Sequence, residues 1–281
     1  MLPLLDTHQH LIYRDKLTYA WADNVPVLST GDFTIDDYHA LVAGRGVAGS
    51  IFMEADAGDY CAETRMVAEL VADPENRLLA IISSCRPEED EGFDDWIEEC
   101  GSLPVVGFRR LLHEVDDSVS QGETFRRNVA RIGRRGFTFD IVCRSDQLPI
   151  AHEFAVSCDD MTLVLDHCGV PDIAGGETES WFFGIKNMAA LPHVCAKISG
   201  VLAYCAPDNA TLEAVRPYVE HVIASFGTER LVWGSDWPVV NMGADLRQWI
   251  DVFRALIGDL SESEAAGIAH KNAERIYGVT L

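Results

Sequence analysis

The sequence predicts a (β/α)8 barrel, and three observations support this fold. Eight short apolar runs recur along 281 residues, and a barrel with its loops typically needs about 250 residues. The runs are nearly continuous in apolar residues, as expected for parallel strands that helices cover on both faces. Amphipathic segments separate the runs, and this alternation indicates crossover helices. We expect one domain over residues 1–281, built as a closed barrel or as a large open sheet.

The predicted elements follow from apolar spacing and from helix start and stop signals. The candidate strands cover residues 4–10, 49–55, 78–85, 105–112, 137–143, 161–167, 194–200 and 230–236. Thr34 precedes an acidic first turn, and Gly46 is available to end that helix. Further helices are predicted over 62–72, 122–135, 145–157, 246–257 and 261–277, the last opening with Ser261 and Glu264 as a capping box. Long segments after strands one and six, 11–33 and 168–180, are expected to shape the catalytic face.

The charge balance narrows the partners that the protein can have. Twenty-two basic residues face 45 acidic ones, giving a formal net charge of −23. Such a field disfavours nucleic acid and anionic membranes, and no run approaches the ~20 apolar residues of a membrane span. We therefore expect a small-molecule substrate, no nucleic-acid partner and no membrane partner. Assembly into a homo-oligomer is left open.

The cysteines and the amino-terminal residues indicate a cytoplasmic protein. The eight cysteines are dispersed and form no C-x-x-C pair. Several lie in apolar runs, where a buried thiol behaves as a small hydrophobic group. We therefore expect free cysteines in a reducing cytosol. The segment MLPLLDTHQH has neither the basic region nor the apolar length of a signal peptide.

The end of the first strand carries the sharpest chemical pattern, Asp6-Thr7-His8-Gln9-His10. Residues two apart on a strand face the same side, so His8 and His10 are expected to point together toward the barrel axis. Two imidazoles on one face form a natural pair of metal ligands. A chance pair of surface histidines is the alternative, and the place of the pair at a strand end favours the functional reading.

Three further strands end in polar side chains of suitable chemistry. His167 ends strand six, Lys197 lies near the end of strand seven, and Asp236 ends strand eight. Each could have a structural role alone, and Asp166 or Asp236 could cap the following turn. The carboxyl ends of barrel strands share one face. Four independent accidents would be needed to place three histidines and an aspartate there without a function.

Taken in order, five motifs resemble those of the amidohydrolase superfamily. They are D-T-H-Q-H, G-F-R, D-H-C-G-x-P, K-x-S-G and G-S-D-W-P, and they extend from residue 6 to residue 238. More narrowly, they resemble its branch of TIM-barrel hydrolases that contains sugar lactonases and pyrone-dicarboxylate and muconolactone-type lactonases. The resemblance implies hydrolysis of the ester bond of a small carboxylated or polyhydroxylated lactone, with a sugar-acid lactone favoured.

By motif, His8 and His10 match the paired histidines of strand one in that superfamily, and His167 and Asp236 match its ligands of strands six and eight. Binuclear members carry a carboxylated lysine or a glutamate on strand four, where this chain reads VVGFRRLL. Strand five offers Asp140 in place of a histidine. The resemblance therefore implies one divalent ion, Zn²⁺ or Mn²⁺, held by His8, His10 and Asp236, or no required metal.

Lactone hydrolysis needs a deprotonated water and a polarised carbonyl group. Asp236 is the expected general base, and His167 is expected to polarise the carbonyl or to act as a ligand. Strand parity does not decide between Arg109 and Arg110 as the inward residue, and the G-F-R resemblance favours Arg109. The other expected substrate contacts are His113, Lys197, Glu54 and Trp237. Tyr204 and Asp140 are further candidates for which a structural role is the stronger expectation.

Two other functions compete with the lactonase hypothesis. A metal-dependent non-oxidative decarboxylase of the same superfamily would act on an aromatic acid and require a firmly held metal. A non-catalytic barrel that binds a ligand would tolerate substitution of the residues at the strand ends. The loops 11–33, 113–120, 168–180 and 203–209 are expected to set the substrate, and their sequences do not identify it.

Overall fold

Eight parallel strands form the centre of the structure, a computed structural model that describes residues 1–176, 178–206 and 208–281. Each strand pairs with its neighbours in chain order. The strands are β1 (Leu4–Gln9), β2 (Val47–Met53), β3 (Leu78–Ser84), β4 (Val105–Leu111), β5 (Thr138–Val142), β6 (Leu163–Leu165), β7 (Val194–Ile198) and β8 (Leu231–Trp233).

The chain closes the sheet into a barrel just beyond β8. Gln9 forms a parallel bridge with Trp237, and the Asp236 amide donates a hydrogen bond of 2.7 Å to the carbonyl oxygen of His8. These contacts join the last segment to the first strand. The predicted (β/α)8 architecture is confirmed, and the open-sheet alternative is wrong.

Helices surround the barrel and follow the strands in the predicted alternation. The described α-helices are α1 (Ala20–Asp23), α2 (Ile35–Val42), α3 (Tyr60–Val71), α4 (Phe93–Cys100), α5 (Ser118–Gln121), α6 (Glu123–Arg134), α7 (Leu148–Val156), α8 (Glu179–Ala189), α9 (Leu212–Phe226), α10 (Leu246–Leu256), α11 (Glu262–Ala266) and α12 (Asn272–Tyr277). None of these described helices combines the length and the apolar character that a membrane-spanning helix requires.

The predicted helix starts are largely correct, and the differences have local causes. Thr34 and Ser261 each form a capping box at the start of α2 and α11. The helix predicted over 145–157 begins instead with a 3-10 turn before α7. The helix predicted over 261–277 is interrupted by a π-helical turn over Gly267–Lys271. Strand six is shorter than predicted because the backbone after Leu165 turns into the left-handed region.

Apolar side chains fill the amino-terminal end of the barrel interior. This interior cluster includes residues from six strands and the last helix, namely Leu5, Ile51, Ile82, Val164, Cys195, Val232, Ala273 and Tyr277. All of them are at most 5% exposed. Because this end is closed by α12, polar side chains that point inward are confined to the middle and the carboxyl end of the barrel.

A register shift in β1 allows both an apolar residue and a predicted site residue to point into the barrel. The pairing of β1 with β2 shifts between Asp6 and Gln9. Leu5 therefore joins the interior cluster, while His8, three residues later, also points inward. Asp6 faces outward and accepts a 2.6 Å hydrogen bond from the Tyr38 hydroxyl of α2. Strict alternation along β1 would not produce this arrangement.

All eight cysteines carry free thiols, and seven of them are buried. The expected loops 168–180 and 203–209 each include one position, 177 and 207 respectively, that lies outside the described residues. The rest of both loops reaches the carboxyl face of the barrel, where Val170 and Tyr204 line a cavity.

Candidate active site

A cavity of about 350 Å³ opens at the carboxyl ends of the strands. Polar lining residues come from β1, β4 and the segments after β6 and β8, and they include His10, Arg109, His167 and Asp236. The lid loop, which we define as residues 11–33, contributes Trp21 and Val25 to the wall. The volume of the cavity suits one small organic molecule. The sequence-predicted residues thus meet at the face where barrel enzymes carry their chemistry.

His8, His10 and Asp236 form a compact cluster at the floor of this cavity. The Asp236 Oδ1 atom lies 3.6 Å from His8 Nε2 and 3.4 Å from His10 Nε2. One ligand atom from each residue lies within 4.8 Å of the other two. All three residues are buried, with at most 4% exposure. Two imidazoles and a carboxylate at such distances match the ligand chemistry of zinc.

An oxygen atom lies behind each of the two histidine rings, on the side away from Asp236. His10 Nδ1 lies 2.9 Å from the backbone carbonyl oxygen of Met53. A carbonyl oxygen only accepts, so Nδ1 of a neutral His10 carries the proton, and the Nε2 lone pair faces Asp236. His8 Nδ1 lies 3.4 Å from Asp166 Oδ1. Metal-binding histidines commonly show this pairing of the distal ring nitrogen with a carbonyl or carboxylate oxygen.

One of the two carboxylate oxygens of Asp236 has no hydrogen-bond partner among the described residues. This oxygen, Oδ2, is buried. A Cβ atom at Gly200 would lie 2.9 Å from this oxygen and 2.6 Å from His167 Nδ1. Gly200 also has φ of +68°, so a glycine is required there for two reasons. Asp236 thus keeps one carboxylate oxygen without a donor in an enclosed position beside Gly200 and His167.

His167 lies on a left-handed turn that follows β6. His167, Cys168, Gly169 and Val170 have φ values of 52°, 55°, 69° and 47°. The turn aims the imidazole at the centre, where Nδ1 lies 3.8 Å from Asp236 Oδ2 and 3.0 Å from the Ser199 hydroxyl. Burial lowers the pKa of both His167 and His8, which favours neutral rings at pH 7. Neutral imidazoles are the form that binds metals.

The residues present therefore fit one divalent cation. The fit rests on the buried Asp236 Oδ2 atom that has no donor, on the His8 and His10 Nε2 atoms that lie 3.6 and 3.4 Å from Asp236 Oδ1, and on the oxygen atoms behind the two rings. His8, Asp166 and His167 form a second group with suitable spacing. In that group Asp166 is already paired with Lys197 at 3.0 Å and with Arg109 at 3.5 Å. The cluster of His8, His10 and Asp236 is the better cation site.

Arg109 is the inward arginine of β4. Its Nε donates a 2.6 Å bond to Glu54 Oε1, and Nη2 donates to the Glu54 carbonyl oxygen at 2.7 Å. Burial alone would lower the pKa of Arg109, but Glu54 and Asp166 raise it, so the guanidinium stays charged. Arg110 points away from the barrel axis and pairs with Glu88 at 2.7 Å. Of the two arginines, Arg109 is thus the one that lies at the cavity.

A buried polar layer lies between the cavity and the interior cluster. Lys197 Nζ lies 2.6 Å from Asp140 Oδ2 and 3.0 Å from Asp166 Oδ1, and all three residues are fully buried. Burial alone would lower the pKa of Lys197, but the two carboxylates raise it. Burial alone would raise the pKa of Asp166, but Lys197 and His8 hold it well below its usual range. Asp166 is therefore an anion paired with a permanent cation.

The remaining predicted substrate contacts differ in their distance from the cavity, because one of them lines it and three lie behind its wall. His113 lines the cavity, with its Nε2 3.3 Å from Glu114 Oε1, and burial lowers its pKa. Glu54 and Lys197 are fully buried and engaged in ion pairs below the cavity wall. Trp237 is 2% exposed and packs edge-on against Phe33, with a centroid separation of 5.6 Å. The positions of these last three suit support of the site better than contact with substrate.

Two kinds of residue were overlooked by the sequence reasoning. Asp166 precedes the predicted His167 and was interpreted only as a turn cap, although its parity matches inward Val164. Trp21 and Asp56 line the cavity from loops with no recognisable motif. Trp21 donates from its indole nitrogen to the Ala55 carbonyl oxygen at 2.7 Å, which fastens the lid loop to the segment after β2.

Comparisons with known proteins agree with this geometry. The family model described as Amidohydrolase matches residues 5–279. L-Fucono-1,5-lactonase of Burkholderia multivorans is 27% identical over 290 residues, covering 98% of this chain and 96% of the relative. The 4-sulfomuconolactone hydrolase of Rhizobium radiobacter is 22% identical over 237 residues, covering 83% and 75%. A crystal structure of an amidohydrolase from Burkholderia multivorans with bound zinc superposes with a TM-score of 0.90, at 26% identity over 99% of this chain and 100% of the other.

Proposed function

Because the chain belongs to the amidohydrolase family, we propose that it is a hydrolase that opens the ester ring of a small lactone with an activated water. The observation that carries the proposal is the buried Asp236 carboxylate, which lies among His8, His10 and His167 on the floor of a cavity that suits one small molecule. The relatives named as lactonases, matched over most of their lengths, support the same reaction.

Asp236 is the residue that we assign to proton transfer. Its carboxylate, which lines the cavity, accepts the proton of a water as that water adds to the lactone carbonyl carbon. The bond between the carbonyl carbon and the ring oxygen then breaks, and the protonated carboxyl returns the proton to the departing ring oxygen. One carboxylate can thus act first as general base and then as general acid. The product is the open-chain hydroxy acid.

We assign His8, His10 and Asp236 as the ligands of one divalent ion, with zinc first and manganese as the alternative. When bound, such an ion would lower the pKa of a water and polarise the carbonyl group. The chain supports the same charge development itself. The Arg109 guanidinium is 3% exposed at the cavity wall, and a fixed cation there stabilises the oxyanion of the tetrahedral intermediate. His167 is assigned to the same oxyanion as a hydrogen-bond donor.

The charges of the cavity wall favour a neutral lactone of the sugar-acid type. Asp56 and Glu114 lie in the wall together with Asp236, and Arg109 is the basic residue among the described lining residues. The Arg109 guanidinium already forms two bonds to Glu54. A second carboxylate on the substrate would therefore meet mainly like charge, whereas hydroxyl groups can donate to Asp56 and Glu114. Such a substrate would place the reaction in carbohydrate metabolism.

The test is a screen of purified protein against neutral aldonolactones, anionic dicarboxylate lactones and aromatic acids, read by a pH indicator and by CO₂ release. We expect acid release from an aldonolactone, lowered by chelation and restored by zinc or manganese. Asp236→Asn is expected to lower kcat by about 10²–10⁴-fold. Asp159→Asn is the matched control, because it removes an exposed carboxylate near the opposite end of β6.

Three results would contradict parts of this proposal. Full activity of Asp236→Asn would show that Asp236 is not the general base. Hydrolysis that continues after chelation would show that no metal ion is required, and the lactonase assignment would stand. CO₂ release from an aromatic acid, without lactone hydrolysis, would replace the lactonase with the decarboxylase alternative. The screen therefore separates the reaction from the metal and from the identity of the base.

A further inference from the structure

Tyr204 is the only side chain with a hydroxyl group among the described residues that line the active-site cavity. It is half-buried, and within the described part of the chain its hydroxyl has no hydrogen-bond partner. The hydroxyl groups of Tyr38 and Tyr277, in contrast, donate to the carboxylates of Asp6 and Asp140. The cavity wall therefore contains a hydroxyl donor that no protein group engages.

The backbone of Tyr204 is held by segments that follow three different strands. The residue ends the 3-10 turn Val201–Tyr204, which follows β7. Its carbonyl oxygen accepts a 3.1 Å hydrogen bond from the amide of Ala174, in the segment after β6. A Cβ atom at Gly243 would overlap the carbonyl oxygen of Leu202, so the segment after β8 packs directly against the same turn. These contacts give Tyr204 a defined position at the cavity.

The ring of Tyr204 lies against His167 in an edge-to-face contact. The two ring centroids are 6.1 Å apart, and the ring planes are inclined by 80°. His167 Nδ1 in turn lies 3.8 Å from Asp236 Oδ2. Tyr204 is therefore separated by one side chain from the carboxylate to which we assign proton transfer, and it adjoins the histidine assigned to the oxyanion.

The ester group of a lactone only accepts hydrogen bonds, and other donors of the cavity wall are already engaged. Trp21 Nε1 donates to the carbonyl oxygen of Ala55 at 2.7 Å. Arg109 directs Nε and Nη2 at the side chain and the backbone carbonyl of Glu54. A hydroxyl group carries one donor, and that of Tyr204 is not used by any described residue. It is thus a free donor for a carbonyl oxygen in the cavity.

We propose that Tyr204 is a catalytic residue whose hydroxyl group donates a hydrogen bond to the carbonyl oxygen of the lactone, beside His167. When water adds to the carbonyl carbon, this oxygen becomes negatively charged. A donor that is already in place then binds it more strongly than it binds the neutral carbonyl. Tyr204 keeps its proton throughout, and the negative charge leaves the oxygen when the bond to the ring oxygen breaks. The assignment rests on the proposed function, because it concerns the same reaction.

The kinetic experiment compares Tyr204→Phe with Tyr218→Phe in the hydrolysis of a neutral aldonolactone. Tyr204→Phe removes the hydroxyl and keeps the ring against His167. Tyr218→Phe is the matched control, because it removes a hydroxyl from α9, where the ring packs on Trp181 outside the described cavity wall. We expect kcat of Tyr204→Phe to fall by about 10²–10³-fold, with KM nearly unchanged. The control should keep both constants, and both variants should keep the Tm of the unmutated protein.

A binding experiment tests the same contact without turnover. A cyclic phosphonate carries the charged oxygens of a tetrahedral intermediate, whereas the lactam of the same ring carries an uncharged, planar carbonyl group. Isothermal titration calorimetry measures both ligands on the unmutated protein and on the two variants. We expect Tyr204→Phe to weaken phosphonate binding by about 10- to 100-fold and lactam binding much less. Tyr218→Phe should bind both ligands as the unmutated protein does.

The outcomes separate this inference from the proposed function. Native kcat and native phosphonate affinity in Tyr204→Phe would overturn the role of Tyr204 and leave the lactonase intact. A raised KM at native kcat would also overturn it, since the hydroxyl would then bind a part of the substrate that does not react. A lower Tm with equal losses for both ligands would show a structural role instead. A protein that hydrolyses no lactone and binds neither ligand would end the proposed function, and the role of Tyr204 with it.

Discussion

The Arg109 Nη1 atom lies 3.2 Å from His8 Nε2, at the lone pair that a metal ion at this histidine would need. Strand four, on which the resemblance implies a metal ligand in binuclear members of the superfamily, thus holds a fixed cation here. Glu54 holds the same guanidinium at 2.6 Å through Nε. A proton of Arg109 and a divalent ion therefore compete for one nitrogen atom, and this competition can be measured.

Removing the competing guanidinium should strengthen metal binding. The pair Arg109→Met/Glu54→Gln deletes the cation together with its buried partner, so no uncompensated charge remains. A hydrogen bond to a charged group contributes about 1.5–3 kcal/mol, so zinc is expected to bind roughly 10- to 100-fold more tightly while kcat falls. Isothermal titration calorimetry on the apoprotein measures this change. The outward pair Arg110→Met/Glu88→Gln is the control, and equal affinities in both variants would argue against the competition.

Backbone strain beside His167 should be visible in protein stability. Val170 has φ of 47°, a region in which a β-branched residue is strained by about 1–3 kcal/mol. Val170→Gly removes the whole side chain and relieves that strain. Val170→Ala removes a side chain of similar size but keeps most of the strain. We expect the glycine variant to be more stable than the alanine variant by about 1 kcal/mol, or roughly 2–4 °C in Tm. The usual order, with alanine above glycine, would contradict the left-handed geometry.

Glu63 on α3 should make stability depend on pH in a definite direction. Burial, reinforced by the Glu54 charge, raises the pKa of Glu63 well above its ordinary value. The folded protein therefore holds this proton at pH values where the unfolded chain, with a pKa of about 4.3, has released it. The contribution of the protonated carboxyl is fully present below that pH and is lost as the pH rises toward the folded pKa.

Replacement of Glu63 by glutamine should remove this pH dependence, because the amide oxygen can still accept from the Ala55 amide at 3.1 Å. The stability gain of Glu63→Gln over the unmutated protein should be near zero at pH 4 and grow toward pH 8. Urea unfolding across this range measures it. Glu69→Gln, at an exposed position of the same helix, is the control. A gain that shrinks with rising pH would contradict the raised pKa.

Asp56 should contribute to the choice between neutral and anionic lactones. It lines the cavity wall, and burial together with Glu54 raises its pKa. At pH 8, Asp56→Asn removes a negative charge from the wall, so kcat/KM for an anionic lactone should rise relative to a neutral one on the order of tenfold. Asp15→Asn, exposed on the lid loop, should leave the ratio unchanged. An unchanged ratio in Asp56→Asn would place substrate selection elsewhere.

Several features of the site could be read from the sequence because they depend on local periodicity. Continuous apolar runs separated by helices are a property of short windows, and they predicted eight parallel strands. Polar residues at the carboxyl ends of those runs share one face in any barrel. His10, His167 and Asp236 were therefore predicted at the centre before any distance between them was known.

Other features required contacts between distant parts of the chain. Lys197 looked like a substrate contact because it lies near a strand end, and the structure instead pairs it with Asp140, 57 residues away. Glu54 and Trp237 were expected at the cavity for the same reason and are packed behind it. Strand parity gives the side of the sheet, but the depth of a side chain in the barrel depends on register and on strand tilt.

Periodicity and chain order are enough to predict the barrel, the face on which the polar strand ends meet and most of the residues around Asp236. The inward direction of Arg109, the place of Asp166 beside His8 and the pairing of Lys197 with Asp140 and Asp166 follow from contacts that form only in the folded chain. The physical reason is that buried charges are stable only in the company of specific partners. Those partners lie on different strands, and the closure of the barrel brings them together.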